Sequence, residues 1–236
     1  LCRRSGVAPA TIAIVDGDVY IGLEEEKLHF ITRSKIIKKI SRREIGTAIA
    51  KRWSAATTVS STITLAHLAG IPVFATGGIG GVHENVIRSF DISEDLSALA
   101  ETPSIVVSAG AKAILDLEKT VELLESIGVT LLGFKTNEFP AFYTQKSGIK
   151  TLTPVKSERE IVDVYIANRR AGLLNSILVA NPILKKDEIP SRKIKSIIGL
   201  ALKKANQLSI SGKETTPFLL KFIQEKTNGE SLLANK

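Results

Sequence analysis

The sequence predicts an α/β fold, a largely parallel sheet flanked by helices on both faces in a three-layer α/β/α arrangement. Two observations carry this. Four short apolar runs, at 72–75, 105–108, 130–134 and 176–180, have the length and bounding residues of strands. Helical spacing of apolar residues recurs among and after them, at 95–101, 114–126, 157–171 and 191–208. Apolar strands alternating with amphipathic helices make a parallel sheet that is covered on both sides.

Taken in order, the first residues, Leu1-Cys2-Arg3-Arg4, read as the tail of a helix. With no methionine in the sequence, they lead to the expectation of a chain truncated at its N-terminus. Apolar and small residues alternate at 11–15 and 18–22 around Asp16-Gly17, a strong hairpin signal. A short helix with an acidic first turn is expected at 23–31. Ser41-Arg42-Arg43-Glu44 has capping-box spacing and should open a helix reaching about Trp53. Another helix is expected at 57–69. The helix at 157–171 opens on a second capping box, Ser157 to Glu160. The last predicted helix, 217–226, is followed by Asn228-Gly229, which suits a left-handed stop. No internal repeat or low-complexity linker interrupts the pattern, so a single domain over 1–236 is expected.

Composition narrows the function classes. Hydrophobic residues are 44% and charged residues 24%, as in ordinary globular domains. No apolar run reaches the roughly 18 residues needed to span a bilayer, and no signal peptide is visible, so a cytoplasmic protein with no membrane association is expected. The single cysteine, Cys2, rules out an internal disulfide framework and a cysteine-based zinc site. The net charge of +8 would suit nucleic acid, but the basic residues are dispersed and aromatics are only 5%. Solvated faces and a few phosphate-holding residues explain the charge better.

Ligands of open α/β sheets bind beyond the carboxyl ends of the strands. That rule singles out 76–83, 108–112 and 180–182. The first holds Thr76-Gly77-Gly78-Ile79-Gly80-Gly81-Val82-His83, where glycines either admit a ligand close to the backbone or form a mobile turn. The second ends in Lys112, placed at the start of the predicted helix at 114–126. There it is either a surface lysine or a desolvated amine near a helix N-terminus, where both effects favour the neutral nucleophile. Asp91 and Asp95 bracket Ser93, which is equally a helix N-cap; one carboxylate could hold a hard divalent ion completed by water and phosphate.

Eight co-ordered segments resemble the indigoidine synthase A family, the pseudouridine-5′-phosphate glycosidases. They are Lys39-Ile40-Ser41-Arg42-Arg43, Thr57-Thr58-Val59, the glycine run to His83, Phe90 through Asp95, Ser108 through Lys112, Asn137-Glu138-Phe139-Pro140-Ala141-Phe142, Ala180-Asn181-Pro182, and Gly212 through Leu220. The resemblance implies reversible cleavage of the C–C glycosidic bond of pseudouridine 5′-phosphate to uracil and ribose 5-phosphate. It assigns Lys112 as nucleophile and Asp91 as the ligand of one manganese ion or another divalent cation. Lys39, Val59, Ser93, Glu94 and Asp95 become substrate contacts, together with His83 on the glycine loop and Asn235 near the C-terminus. It further implies a homotrimer, a proton-donating glutamate upstream of Leu1, and missing C-terminal helices. Two departures stand out: Ala55-Ala56 replaces small residues that are usually glycines, and Glu84-Asn85 replaces an arginine and a glycine, setting an acid near the expected phosphate site. These departures and the absent glutamate motivate an alternative, a noncatalytic nucleotide-binding remnant of the same fold.

Overall fold

The computed structural model describes residues 2–210 and 212–234. The chain opens with a 3-10 turn at Cys2–Ser5 and then the hairpin of β1 (Ile12–Val15) and β2 (Asp18–Ile21). Asp16 and Gly17 both have positive φ, the geometry that matches a tight turn to the strand twist. Helix α1 (Glu25–Arg33) follows, then β3 (Lys38–Ile40). The expected capping box is present: Ser41 and Glu44 bind each other's backbone reciprocally around a 3-10 turn, Arg42–Glu44. Helix α2 (Ile45–Ala50) ends three residues before Trp53, because Arg52 turns left-handed and β4 (Ala55–Thr57) must begin. Helix α3 (Val59–Leu68) starts directly after Thr58.

Strand β5 (Val73–Ala75) leads through the glycine run to the short α4 (Val86–Ser89) and α5 (Glu94–Glu101). Then come β6 (Ile105–Ser108), α6 (Leu117–Ser126), β7 (Thr130–Phe134), β8 (Thr153–Val155), α7 (Glu158–Arg170) and β9 (Ile177–Ala180). Helices α8 (Ser191–Gln207), α9 (Thr215–Lys226) and α10 (Glu230–Ala234) complete the described chain. Among the described residues no helix is long and apolar enough to cross a membrane.

The α/β expectation holds in a five-stranded, all-parallel sheet ordered β5-β6-β9-β7-β8. Its strands send alternate side chains to two cores, as a pleated strand must. Val106, Leu131 and Leu178 join the large core with Leu99, Leu124 and Ile198 of α5, α6 and α8. Ile105, Leu132, Ile177 and Val179 face Ile161 and Tyr165 of α7 on the other side. Burying each such aliphatic side chain contributes about 1.5–3 kcal/mol, which is why these strands read so clearly in the sequence. A second sheet was not foreseen. It has four strands ordered β2-β1-β4-β3, with β3 and β4 parallel and the other pairs antiparallel. This sheet closes on its own small core of Ile14, Ile40, Ala48 and Ala55, and contacts the remainder through α3.

Candidate active site

A cavity of about 520 Å³ is lined from β3, β4, the start of α3, the glycine run, the 91–95 segment, Lys112 and α9. On β3, alternation sets the site: Lys38 stacks its ammonium over Trp53, Ile40 is buried, and Lys39 between them lines the cavity. Val59, the first residue of α3, brings that helix terminus to the wall. His83, Asp91, Ser93, Glu94, Asp95 and Lys112 complete the expected set, so every proposed site residue but one meets here. The exception, Asn235, lies outside the described residues.

Lys112 reaches the cavity by a route different from the expected one. It does not start a helix. Asp116 accepts the Lys119 backbone N–H as N-cap, so α6 begins only at Leu117, five residues beyond Lys112. Lys112 is held instead in a bridge, its N–H donating to the Ile79 carbonyl at 3.1 Å beside the Ile79–Ala111 pairing. Gly110 makes this turn with φ +88°, where a Cβ would also strike the Pro140 carbonyl. Burial lowers the Lys112 pKa from its usual value; the Asp95 carboxylate opposes this and the Lys39 cation reinforces it. An amine pushed toward neutrality by desolvation is a competent nucleophile.

The glycines of the run are sites of close packing. A Cβ at Gly78 would collide with the Phe142 ring, at Gly80 with Ser93 and Asp95, and at Gly81 with Thr120. Four of the run's N–H groups donate within the protein: Ile79 to Gly110, Gly80 to Asp95, Val82 to Thr120 and His83 to Asp91. These glycines allow dense packing that carries His83 into the cavity. His83 has its pKa lowered, first by burial, with Lys39 and Lys112 adding to the effect and Asp91 opposing it. Its Nε2 lies 3.9 Å from Asp91 Oδ2. At neutral pH the ring is therefore uncharged.

Asp95 is 4% exposed and accepts the backbone N–H groups of Ser60 and Gly80, each at 2.8 Å. It ties α3 to the glycine run. Glu94 accepts the Arg43 N–H through Oε1, whereas its buried Oε2 has no hydrogen-bond partner among the described residues. Among the described residues no group of three His, Cys, Asp or Glu side chains could hold a metal ion. Asp91, its side chain 36% exposed, suits a hard cation bound by one carboxylate plus water and phosphate.

The substitution at Glu84 bears on a different place. Glu84 lines a neighbouring cavity of about 670 Å³ on the far side of the 113–118 segment, not the Lys112 cavity. The 180–182 turn likewise departs from expectation: Asn181 and Pro182 line a third cavity with Thr76 and Ser108. Ser41, Arg43, Leu115, Thr216, Pro217 and Leu220 line the Lys112 cavity without having been singled out. Thr216, Pro217 and Leu220 lie in one of the eight resembling segments, and that was the available signal.

Comparison with known proteins gives a consistent answer. The indigoidine synthase A like protein family model matches residues 1–236. The pseudouridine-5′-phosphate glycosidase of Staphylococcus aureus (strain MW2) is 46% identical over 235 residues, covering 100% of this chain and 76% of that protein. That of Caldanaerobacter subterraneus subsp. tengcongensis is 49% identical with the same coverage. Among solved structures, an indigoidine synthase A-like protein from Thermotoga maritima superposes with a TM-score of 0.91 at 39% identity, covering 99% of this chain and 76% of the other. The prealnumycin C-glycosynthase AlnA, solved in complex with ribulose 5-phosphate, also gives 0.91, at 35% identity, covering 99% of this chain and 77% of the other.

Proposed function

The chain belongs to the indigoidine synthase A-like family, and we propose that it acts as a pseudouridine-5′-phosphate glycosidase, interconverting pseudouridine 5′-phosphate with uracil and ribose 5-phosphate. The observation that carries this reading is the desolvated Lys112 amine in a cavity that also holds Lys39 and Asp91.

A base joined through carbon is a poor leaving group, so the sugar must supply an electron sink. The neutral Lys112 amine adds at C1′ as the C1′–O4′ bond opens; the nitrogen loses one proton and O4′ takes one up. The nitrogen lone pair then forms the C1′ imine, the C1′–C5 bond pair passes into the uracil ring, and C5 is protonated. Water hydrolyses the imine, returning the amine and ribose 5-phosphate. Burial, reinforced by Lys39, favours the neutral amine, and Lys39 offers a cation to the phosphate. Asp91 would hold a divalent cation such as manganese, which supplies charge neutralisation beside the phosphate when bound. Asp95 holds the walls around the sugar in place. That a relative was solved with a pentose phosphate supports a sugar phosphate in this cavity. A homotrimer belongs to the same proposal and is measured by light scattering.

The test is incubation of the chain with uracil, ribose 5-phosphate and manganese, followed by chromatography for pseudouridine 5′-phosphate. Borohydride added with ribose 5-phosphate alone should attach the reduced sugar to Lys112, located by peptide mass spectrometry. Absence of both product and adduct overturns the proposal. The C-glycosynthase relative motivates a second reading, the same imine chemistry with another aromatic acceptor. A Lys112 adduct without any uracil-dependent product would favour it.

A further inference from the structure

Five hydroxyl side chains line the Lys112 cavity, those of Ser41, Thr57, Thr58, Ser93 and Thr216. Four are already engaged by the protein. Ser41 pairs with Glu44, and Thr57 donates to the Ile12 carbonyl. Thr58 pairs with Ser60, and Ser93 accepts the Asp95 N–H. Thr216 alone has no hydrogen-bond partner among the described residues, although it is only half-exposed.

Lys39, Arg43, His83, Asp91, Glu94, Asp95 and Lys112 give the cavity its titratable lining. Thr216 stands on α9 with Pro217 and Leu220, and Leu115, three residues beyond Lys112, lines the same cavity, as do Val59 and Ile92. A sugar phosphate has no use for an apolar wall. A flat heterocycle does, and it needs a polar partner for its edge. A threonine hydroxyl can donate to a ring carbonyl and accept from a ring N–H, the two groups that alternate around a pyrimidine dione.

We propose that Thr216 is a specificity-determining residue that reads the carbonyl and N–H edge of the base while Leu115, Pro217 and Leu220 pack on its faces. The inference rests on the glycosidase reading and names the part of the cavity that takes the aglycone. A site built to hydrogen-bond a polar edge rejects partners lacking it far better than an apolar site can.

Thr216→Val keeps the side-chain shape and removes the hydroxyl, and Thr216→Ser restores it. In the synthetic direction, Thr216→Val should raise the KM for uracil roughly tenfold to a hundredfold, the range for losing one hydrogen bond to a buried ligand group. The KM for ribose 5-phosphate should stay within about twofold, and Thr216→Ser should recover most of the loss. An unchanged KM for uracil, or a loss falling equally on ribose 5-phosphate, overturns the assignment. Failure of the glycosidase reading would look different: the wild-type chain would yield no product from uracil at all, and this inference would fall with it.

Discussion

Asp95 and Gly80 are joined by a 2.8 Å hydrogen bond from the glycine N–H to Oδ2, and the other carboxylate oxygen takes the Ser60 N–H at the same distance. One buried side chain thus binds the first turn of α3 to the glycine run, and the two elements carry Val59 and His83 to the cavity.

Asp95→Asn should break half of this arrangement. An amide offers one acceptor oxygen and turns its NH2 toward the second N–H, leaving a buried donor unpaired. Loss of a charge-assisted bond of this kind costs about 1.5–3 kcal/mol, measurable as a lower midpoint in urea unfolding. The same change removes the carboxylate that supports the charged form of Lys112. The amine's pKa should fall further, so imine formation with ribose 5-phosphate should persist to lower pH than in the wild type.

Lys112 itself should weaken the fold at neutral pH. Its pKa is lowered in the folded state relative to the usual 10.5, so the unfolded chain binds the proton more tightly. The cost is fully present below the folded pKa, shrinks as pH rises and vanishes above about 10.5. Lys112→Met should therefore raise the melting temperature at about pH 7, with a gain that declines toward about pH 10, while abolishing turnover. A gain independent of pH would show that desolvation of the charge is not the cause.

Lys39→Met should shift the pH dependence the other way. Lys39 lowers the pKa of both Lys112 and His83. Without it both rise, less amine is neutral at a given pH, and the acid limb of borohydride trapping at saturating ribose 5-phosphate moves to higher pH. A limb that stays in place would separate Lys39 from the nucleophile.

How much of this was legible depends on how locally each feature is encoded. Strands β6 and β7 begin and end where expected because both faces are buried and the apolar run itself marks their limits. Strands β3 and β4 were invisible: Lys38-Lys39-Ile40 and Ala55-Ala56-Thr57 are three residues long, without period, and become strands by pairing with each other and with β1. Strand β8 contains Pro154 and is possible only at the sheet edge. The helix pattern at 114–126 ran through Asp116, whose capping role shortened it and moved its start away from Lys112. The site residues were found because they cluster in a few segments. The wall from α9 was not picked out, since nothing in Thr216-Pro217 says locally that it will face Lys112.

Asp91→Asn should separate cation binding from sugar binding. Asp91 is the one carboxylate in the cavity that is open to solvent and free of backbone hydrogen bonds through its side chain among the described residues. If it holds the divalent cation, the manganese concentration giving half-maximal activity should rise roughly tenfold or more. Activity at saturating manganese should recover in part. An unchanged manganese dependence would move the cation elsewhere.

The two glycines Gly80 and Gly199 should respond to alanine with opposite sign. A Cβ at Gly80 would run into the Ser93 hydroxyl and the Asp95 carboxylate, both fixed by hydrogen bonds and unable to withdraw without releasing Ser60 or the α5 N-cap. Overpacking of this kind costs about 1–3 kcal/mol, a fall of roughly 2–12 °C in Tm for a chain of this size. Gly199 lies inside α8, where an added Cβ would have no atom within 4 Å, so alanine there meets nothing and gains helix propensity. Gly199→Ala should stabilise by about 0.5–1 kcal/mol. Because Gly80 holds the cavity wall, its alanine variant should also lose affinity for ribose 5-phosphate, whereas the Gly199 variant should keep wild-type kinetics. If Gly80→Ala proved as stable and as active as the wild type, the glycine run would not be a packing device, and its reading as an open ligand loop would return.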